Sequence, residues 1–445
     1  MTNRNRRDFL KKCCGLSAAG VSAHITRLGL ISAQAQSTST YKALVCIFLF
    51  GGNDSNNMVV PTDSRYSLYQ GMRGPVALGQ GTLLQAGASG YGFHPSLVNV
   101  RRLFNQAQPA AAVVFNVGSL VRPTLKANLN TTPLPKNLYS HSDQVQQWQT
   151  SDTNGGSSGW GGRINDLILA QNSGSLPPGI SVNGGNSLFL SAPTTQGVNF
   201  SNSTSFGLST FGNGTASNAR IASLQKVLTF DTGLQMIGSA NGVLGNAIKS
   251  AQEINGALAS APALPVVFPA SGLGNQLSQV ARIISVKGAL GMNRQIFFAG
   301  MGGFDNHEDL VNKHSQLMAT LDAAINAFQT TMELRGSAND VTMFTESDFN
   351  RTGNSNANLG TDHAWGGHHM VLGGAVKGGQ TYGTFPLHQL GGSDDAGNRG
   401  NWIPTSSIDQ YGATLGSWFG VSDAELKLIF PNLVNFVGKE KLGFI

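Results

Sequence analysis

Five short apolar runs constrain the fold of this chain more than any other feature of its sequence. The runs are continuous rather than alternating, which is typical of strands covered on both faces, as in a parallel sheet. Four of the five lead directly into glycine or polar residues, where a strand would end. The sequence therefore predicts an α/β fold with a mostly parallel central sheet, built on runs 43–50, 111–117, 295–299, 341–345 and 370–372.

One amphipathic helix is clear from about Glu308 to Leu334. Its side chains recur at steps of three and four and form one stripe, which comprises Leu310, His314, Leu317, Leu321, Ile325, Phe328 and Met332. Shorter helices are predicted at 97–104 and 143–148. Repetition of a strand followed by a helix is typical of a doubly wound domain, so we expect helices on both faces of the sheet.

The first 35 residues have the pattern of an export signal rather than of folded structure. The paired Arg6 and Arg7 precede Phe-Leu-Lys, a weakly apolar stretch follows, and residues 33–35 supply a small-x-small cleavage pattern. Polar residues interrupt the apolar stretch, so we expect no stable membrane span. A general secretory signal is the alternative, but the arginine pattern favours twin-arginine export. We predict a signal peptide at 1–35, a single domain over 36–445, and periplasmic or secreted localisation.

Removal of this signal changes the charge of the chain. The whole sequence carries +6, and residues 1–35 hold six Lys/Arg and one Asp, so their loss removes +5 and leaves +1. The basic character therefore belongs to the signal, and we expect no nucleic-acid partner. Cys46 is the only cysteine of residues 36–445 and lies in an apolar run, which predicts a buried thiol and no internal disulfide.

Residues from about 184 to 275 differ in composition from the rest. Asn, Ser, Thr and Gly dominate up to about residue 218, and 256–274 is rich in Ala and Pro. The turn-forming residues and few charges of the first segment predict a loop-rich or short-stranded insertion on the surface, and 256–274 is predicted to be a second connector. Together they form a polar insertion at about 184–275 in the same domain.

Aspartate and histidine residues follow the predicted strands. Three groups each follow a different strand: Asp54, Asp305 with His307, and Asp348. Ligands of open α/β sheets gather beyond the carboxyl ends of the strands, so these side chains should share one crevice. Asp362 and His363 precede the last run and join the others only if their loop folds back over that crevice.

Carboxylates gathered in one crevice would repel one another unless cations were bound among them. Mixed imidazole and carboxylate ligands suit Zn²⁺ or Mn²⁺, and five or six ligands exceed the needs of one tetrahedral ion. A pair of ions would suit a displacement at phosphorus or sulfur. Each residue also has a plainer interpretation: a helix cap for Asp54, a turn cap for Asp348, an exposed helix position for His307, and a core position for His314.

Five motifs occur in order: Gly-Gly-Asn-Asp at 51–54, Ser-His-Ser-Asp-Gln at 140–144, Gly-Gly-Phe-Asp-Asn-His at 302–307, Ser-Asp-Phe-Asn-Arg at 347–351, and Gly-Thr-Asp-His at 360–363 before a Gly-rich segment at 371–379. Together they resemble the bacterial family called domain of unknown function 1501, over nearly all of the chain after the signal. Members of that family are usually exported by the twin-arginine route and are placed in the alkaline phosphatase-like superfamily. The resemblance implies an alkaline phosphatase-like fold.

The resemblance also implies a metal site. Its ligands would be Asp54, Asp305, His307, Asp348 and His363. The chain departs from the superfamily pattern because Asp305 and His307 are only two residues apart, and because Asn350 stands where the family usually has Gly. Phe349 stands where a ligand histidine normally follows the strand-end Asp, so a second ion would depend on a substitute ligand: Asp362, His368 or His369.

The nucleophile is expected near a helix start, where main-chain amides favour a transferring anionic group. Ser140, beside His141 and just before a predicted helix, is the first candidate, and Thr124 and Ser119 are alternatives. The plainer interpretation of Ser140 is a helix cap.

Two functions fit these residues. The first is an exported metal-dependent hydrolase of small phosphate or sulfate esters, with Arg351 or Arg163 stabilising charge on the ester oxygens. It would use one or two divalent ions, Zn²⁺ or Mn²⁺ by preference, with Ca²⁺ as an open alternative. The second is a non-catalytic exported protein of the same fold that binds a surface glycan or a protein partner.

Overall fold

The computed structural model describes residues 41–200, 214–230 and 233–445, so the predicted signal peptide lies outside the described residues. The strands in chain order are β1 Lys42–Leu49, β2 Val59–Pro61, β3 Leu84–Gln85, β4 Tyr91–Phe93, β5 Ala111–Gly118, β6 Gly179–Ser181, β7 Val198–Asn199, β8 Arg294–Met301, β9 Val341–Ser347, β10 Gly367–Leu372, β11 Thr381–Tyr382 and β12 Ser406–Ser407.

The α-helices in chain order are α1 Ser55–Met58, α2 Tyr66–Arg73, α3 Val98–Asn105, α4 His141–Thr150, α5 Trp160–Ile168, α6 Thr215–Leu228, α7 Gln235–Ala259, α8 Gly272–Ser285, α9 Leu310–Leu334, α10 Ile408–Phe419 and α11 Asp423–Ile429. Short 3-10 segments lie at Gly74–Val76, Gln80–Thr82, Lys126–Asn128, Leu169–Gln171, Leu188–Leu190, Ala338–Asp340 and Pro431–Asn435. Within the described ranges, no helix is both long and apolar enough to cross a membrane.

A large sheet organises the described residues. Its strands run in the order β11-β5-β10-β9-β1-β8-β6-β7, with β12 beside β5. Only β10 is antiparallel, to both β5 and β9, and the remaining pairs are parallel. The predicted mixed α/β class with a mostly parallel sheet is therefore confirmed. Because β9, β1 and β8 are parallel neighbours, the residues that follow them emerge side by side.

Both faces of the sheet are covered. The odd-numbered residues 43–49 of β1 pack with side chains of α3, α8 and α9, whereas the even-numbered residues 44–48 pack with those of α4, α5, α10 and α11. Cys46 belongs to the second cluster and is fully buried, as predicted. Burial of both sets explains why the strand sequences are continuously apolar rather than alternating.

All five predicted runs are strands, namely β1, β5, β8, β9 and β10. The amphipathic stripe is α9, which begins at Leu310 rather than Glu308 because Asp309 has a left-handed backbone, with φ of 47°. The predicted helix at 143–148 is α4, which begins two residues earlier, at His141. That shift puts Ser140 at the N-cap position of the helix.

Some elements were not predicted. Strands β2, β4 and β3 form a separate three-stranded sheet, and each has only two or three residues, too few to show a period. Helices α6 and α7 lie within the predicted insertion at 184–275, mostly between its two segments of biased composition. Residues 201–213 and 231–232 of that interval lie outside the described residues. The assignment of 36–445 to a single domain stays a prediction.

Candidate metal centre

Two glycines hold the ends of the central strands together. The Gly51 amide donates to Asp348 Oδ1 at 3.0 Å and so ties the end of β1 to that of β9. Gly51 and Gly52 have φ of 109° and 81°, and a Cβ on Gly51 would lie 2.5 Å from the Asp305 nitrogen. A Cβ on Gly52 would lie 2.6 Å from the Phe349 ring. Only glycine fits at these positions, since both the backbone and the space exclude a side chain.

The loop before β10 folds back over the strand ends. Arg351 and His363 form an antiparallel bridge, and the Thr352 amide donates to the Asp362 carbonyl at 2.9 Å. This pairing brings Asp362 and His363 to the strand ends. The loop therefore folds back over the crevice, which the sequence alone had left open.

Three potential ligand atoms converge at this point. His141 Nε2 lies 3.1 Å from His363 Nε2, and Asp305 Oδ1 lies 3.5 Å from the first and 3.7 Å from the second. The three atoms all lie within 4.8 Å of one another. The Asp305 side chain is 50 % exposed, so the group is open to solvent. This is a possible His/Asp metal site.

The outer nitrogens of the two imidazoles identify their tautomers. His141 Nδ1 lies 2.6 Å from Asp348 Oδ2, and His363 Nδ1 lies 2.8 Å from the Tyr139 carbonyl. A carbonyl can only accept a hydrogen bond, and so can an ionised carboxylate, so each Nδ1 carries the proton and donates it. Each Nε2 then presents a lone pair to the other imidazole.

Facing lone pairs repel one another unless a proton or a metal ion lies between them. Metal-ligating histidines usually donate their other N–H to a carboxylate or a carbonyl, as both of these do. Tetrahedral Zn²⁺ with Zn–N bonds of 2.0–2.1 Å would place two ligand nitrogens about 3.3 Å apart. The observed 3.1 Å is close to that value, so the donor set fits an ion.

The two imidazoles have opposite pKa shifts. The hydrogen bond to Asp348 raises the pKa of His141, against the effect of partial burial. Burial lowers the pKa of His363, against the hydrogen bond to the Tyr139 carbonyl. His141 is therefore the more basic of the two imidazoles. Partial burial acts to raise the pKa of Asp305, but the hydrogen bond and charge of Arg351 outweigh it and leave that pKa lowered.

Arg351 positions Asp305 rather than contacting a substrate. Its side chain is fully buried, Nε donates to the Gly52 carbonyl at 3.0 Å, and Nη1 donates to the Thr361 carbonyl at 3.2 Å. Its Nη2 donates to the Gly51 carbonyl and to Asp305 Oδ1. The expected role of Arg351 in stabilising charge on an ester is therefore corrected, because these bonds leave it no exposed donor.

His307 and Asp362 flank the group on the side of Asp305. His307 Nε2 lies 3.0 Å from Asp305 Oδ1, and His307 Nδ1 lies 3.1 Å from Asp362 Oδ1. Arg399, which is partly exposed, pairs with Asp362 Oδ2 at 2.7 Å. Partial burial acts to raise the pKa of Asp362, but hydrogen bonds from Asn356 and Arg399 outweigh it and leave that pKa lowered.

Asp54 does not join the ligand group, which corrects its assignment as the first metal ligand. Its Oδ2 pairs with Arg73 Nη2 at 2.7 Å, and both side chains are almost completely buried. Its Oδ1 accepts from the Asn57 amide at 3.2 Å and caps α1. The helix-cap interpretation was the right one. Asp348, which the resemblance made a ligand, instead orients His141.

The Ser140 hydroxyl is bonded away from the imidazoles. It donates to Asp143 Oδ2 at 2.6 Å, while both nitrogens of His141 point at other groups. Ser119 is buried and accepts from Gln144, and the Thr124 hydroxyl donates to a main-chain carbonyl. In this arrangement, none of the three candidate hydroxyls contacts a base on the ligand group.

Other histidines lie in the interior. His314 on α9 is buried and bonds to Asn53 Oδ1 through Nε2 at 3.0 Å, which agrees with the core interpretation. His368 and His369 on β10 are also buried, where His368 accepts from a main-chain amide and His369 packs on Trp148. Neither replaces the histidine absent at Phe349, whose ring packs against the rings of His141 and His363, with centroids 4.7 Å from each.

Sequence reasoning missed three residues of this centre. Tyr139 supplies the carbonyl that orients His363, and its backbone is left-handed, with φ of 71°. Arg399 and Asn356 both bond to Asp362. No sequence signal identified Tyr139, because it acts through its backbone, but the arginine could have been sought as a partner for the carboxylates.

A model of the family called protein of unknown function (DUF1501) matches residues 41–396. The chain belongs to the DUF1501 family. No curated protein matches it. One similar structure is Ps i-CgsB in complex with k-i-k-neocarrahexaose, at 11 % identity and TM-score 0.34, over 91 % of this chain and 77 % of that one. Another is a variant of the alkaline phosphatase PafA, at 12 % identity and TM-score 0.23, over 71 % and 64 %. Likenesses at these TM-scores establish neither a common fold nor a common activity.

Proposed function

We propose that this DUF1501 protein is an exported, metal-dependent hydrolase of small phosphate or sulfate esters. One observation carries the proposal: His141 Nε2, His363 Nε2 and Asp305 Oδ1 converge, and each imidazole is oriented by an acceptor on its other nitrogen. The group lies at the carboxyl ends of parallel strands and is partly exposed, where an α/β sheet places its ligands.

The donor set favours Zn²⁺ or Mn²⁺. Two of the three ligand atoms are imidazole nitrogens, which suit transition metals, whereas Ca²⁺ prefers oxygen ligands. The Ca²⁺ alternative left open by the sequence is therefore the weaker one. An ion bound here would supply Lewis-acid polarisation of a phosphoryl or sulfuryl oxygen.

The surrounding residues hold this site in place. Asp348 fixes the ring of His141, the Tyr139 carbonyl fixes that of His363, and Arg351 fixes the carboxylate of Asp305. Such outer partners commonly contribute 10- to 100-fold in metal affinity. The exposed part of Arg399 lies beside Asp362 and provides positive charge that would attract an anionic ester.

Ser140 stays the proposed hydroxyl nucleophile, because it directly precedes His141 at the start of α4. Its hydrogen bond to Asp143 would have to break or pass its proton to that carboxylate. If Ser140→Ala keeps full turnover, water is the nucleophile instead. Ser142→Ala, on the same turn of α4, is the matched control.

The alkaline phosphatase-like fold and the twin-arginine route belong to the same proposal. The fold is supported by the mostly parallel sheet and by the candidate ligand residues beyond the carboxyl ends of its strands. Export is supported by the paired arginines and the cleavage pattern in residues 1–35. Detection of a mature chain in the periplasmic fraction, lost when Arg6 and Arg7 become lysines, would test the route.

The decisive experiment combines metal analysis with turnover. Purified protein should contain Zn²⁺ or Mn²⁺ and should hydrolyse an aryl phosphate or an aryl sulfate. His141→Ala and His363→Ala should each lose both metal and turnover, while Asp309→Asn, in the loop after Asp305 but outside the group, should keep both. Equal metal content in all of these variants would refute the proposed centre.

A non-catalytic protein of the same fold is the second candidate. It is favoured by the Ser140 hydroxyl, which bonds to Asp143 instead of to an imidazole, and by the complete burial of Arg351. Stoichiometric metal without turnover of either ester, together with unchanged stability in Ser140→Ala, would support this candidate over the hydrolase.

A further inference from the structure

The ligand group has a second half that resembles the first. His307 Nδ1 lies 3.1 Å from Asp362 Oδ1, and His307 Nε2 lies 3.0 Å from Asp305 Oδ1. This repeats the arrangement at His141, where Asp348 accepts from Nδ1 and Nε2 faces Asp305. Taken alone, the side of Asp305 that faces His307 would suit a second ion.

A guanidinium group occupies that side. Arg351 Nη2 contacts Asp305 Oδ1, and Nη1 lies 3.5 Å from His307 Nε2. The main-chain carbonyls of Gly51, Gly52 and Thr361 accept its remaining hydrogen bonds, and its side chain is fully buried. The positive charge is thus fixed in the fold and cannot exchange with solvent.

We propose, on the basis of the metal site proposed above, that this centre holds one divalent ion and that the Arg351 guanidinium takes the place of a second. The ion lies with His141, His363 and Asp305, and the guanidinium neutralises the Asp305 carboxylate through the same oxygen, Oδ1. His307 orients that carboxylate and is not itself a ligand.

The charge balance supports one ion. The centre contains three carboxylates, Asp305, Asp348 and Asp362, and two guanidinium groups, Arg351 and Arg399, which together give a formal charge of −1. One divalent ion brings the centre to +1, which suits an anionic ester. Two ions would bring the formal charge to +3, and the second ion would be repelled by the buried guanidinium of Arg351.

The packing of side chains also supports a single bound ion. The Phe349 ring lies against the rings of both His141 and His363 and also faces Arg351, whose guanidinium carbon is 5.7 Å from its centroid. An apolar ring therefore fills the space between the two imidazoles and the guanidinium and offers no ligand atom to a second ion. His368 and His369, the other possible substitutes, are buried elsewhere on β10.

Metal stoichiometry tests this inference directly. The full-length protein is stripped of metal and titrated with Zn²⁺ alone by calorimetry, and bound metal is measured by elemental analysis. We expect one tightly bound ion per chain. Two tightly bound ions would overturn this inference but leave the proposed metal site intact, whereas no bound ion would overturn both.

Variants separate the role of Arg351 from that of the ligands. Arg351→Gln removes the fixed charge and should allow a second, more weakly bound ion beside Asp305 and His307. Arg351→Lys keeps the charge and should still bind one ion per chain. A stoichiometry of one in folded Arg351→Gln would refute the replacement of an ion by this guanidinium.

His307→Ala provides an independent test if the Arg351 variants do not fold. It should weaken the tight ion by about 10- to 100-fold, as expected for a residue that acts through Asp305. A larger loss, comparable to that in His363→Ala, would show that His307 is a ligand and would overturn the inference.

Discussion

Substitution of Asp348 by asparagine tests whether this buried carboxylate controls the ion through His141. Its two oxygens have different partners, since Oδ1 accepts from the Gly51 amide at 3.0 Å and Oδ2 accepts from His141 Nδ1 at 2.6 Å. Asparagine offers only one acceptor oxygen. Its amide group must therefore face either an N–H of the backbone or Nδ1 of His141.

Each orientation has a cost. If the amide faces Gly51, a buried donor meets a donor, which costs about 1–3 kcal/mol of folding stability. If it faces His141, the imidazole must move its proton to Nε2, which removes the lone pair that would bind the ion. Loss of such an outer partner weakens metal binding about 10- to 100-fold, equivalent to about 1.4–2.7 kcal/mol.

The assay is competition for Zn²⁺ with a chromophoric chelator, together with thermal melting at fixed free ion. At a free ion concentration of about 100 times the wild-type Kd, binding stabilises the wild type by about 2.7 kcal/mol and the variant by about 0.4–1.4 kcal/mol. Asp322→Asn is the matched control, because Asp322 is another buried carboxylate, which accepts from the Asn99 and Val100 amides away from the centre. That control should lose stability and keep ion affinity. Wild-type affinity in folded Asp348→Asn would refute the reasoning.

Three further predictions concern other carboxylates. Asp305→Asn combined with His307→Ala should lower both bound metal and melting temperature, and unchanged values for both would remove the pair from the site. Asp54→Ala should cost about 3–5 kcal/mol in denaturant unfolding, because it leaves the buried Arg73 charge unpaired, while ion affinity stays the same. Burial raises the pKa of Asp409 from 3.8 to about 7, so its folded state favours the neutral acid and stability falls as pH rises through that window. The loss of unfolding free energy across this pH range is at most about 4 kcal/mol, and Asp409→Asn should reduce it. The same pH dependence of stability in wild type and variant would contradict the prediction.

The sequence predicted the central sheet because its strands are buried on both faces and are therefore continuously apolar. It did not predict β2, β3 and β4, which are too short to show a period, nor α6 and α7. The last of these is 25 residues long but contains four glycines, Gly238, Gly242, Gly245 and Gly256, whose low helix propensity weakens the prediction of a helix.

The centre was only partly predictable for a related reason. Parallel strands bring their carboxyl ends together, so the convergence of Asp305 and Asp348 followed from topology. His363 joins them only because the loop before β10 folds back and pairs with Arg351. The hydrogen-bond partner of each side chain did not follow, since it depends on residues far away in sequence. Tyr139, which lies 224 positions before His363 and has a left-handed backbone, orients His363 through its carbonyl. That contact cannot be predicted from residue type, because any residue has a backbone carbonyl.

The arginines determine which of the strand-end carboxylates remains available to an ion. Asp54 is neutralised by Arg73 within the protein interior, and Asp362 has one oxygen on Arg399 and the other on an imidazole. Asp305 also meets a guanidinium, but it remains half exposed and lies within 4 Å of Nε2 of both ion-facing imidazoles. A carboxylate after a strand is therefore a weak predictor of a metal ligand until its competing cations are known. The identity of those cations, more than the aspartate motif, separates the candidate ligand Asp305 from the helix cap Asp54.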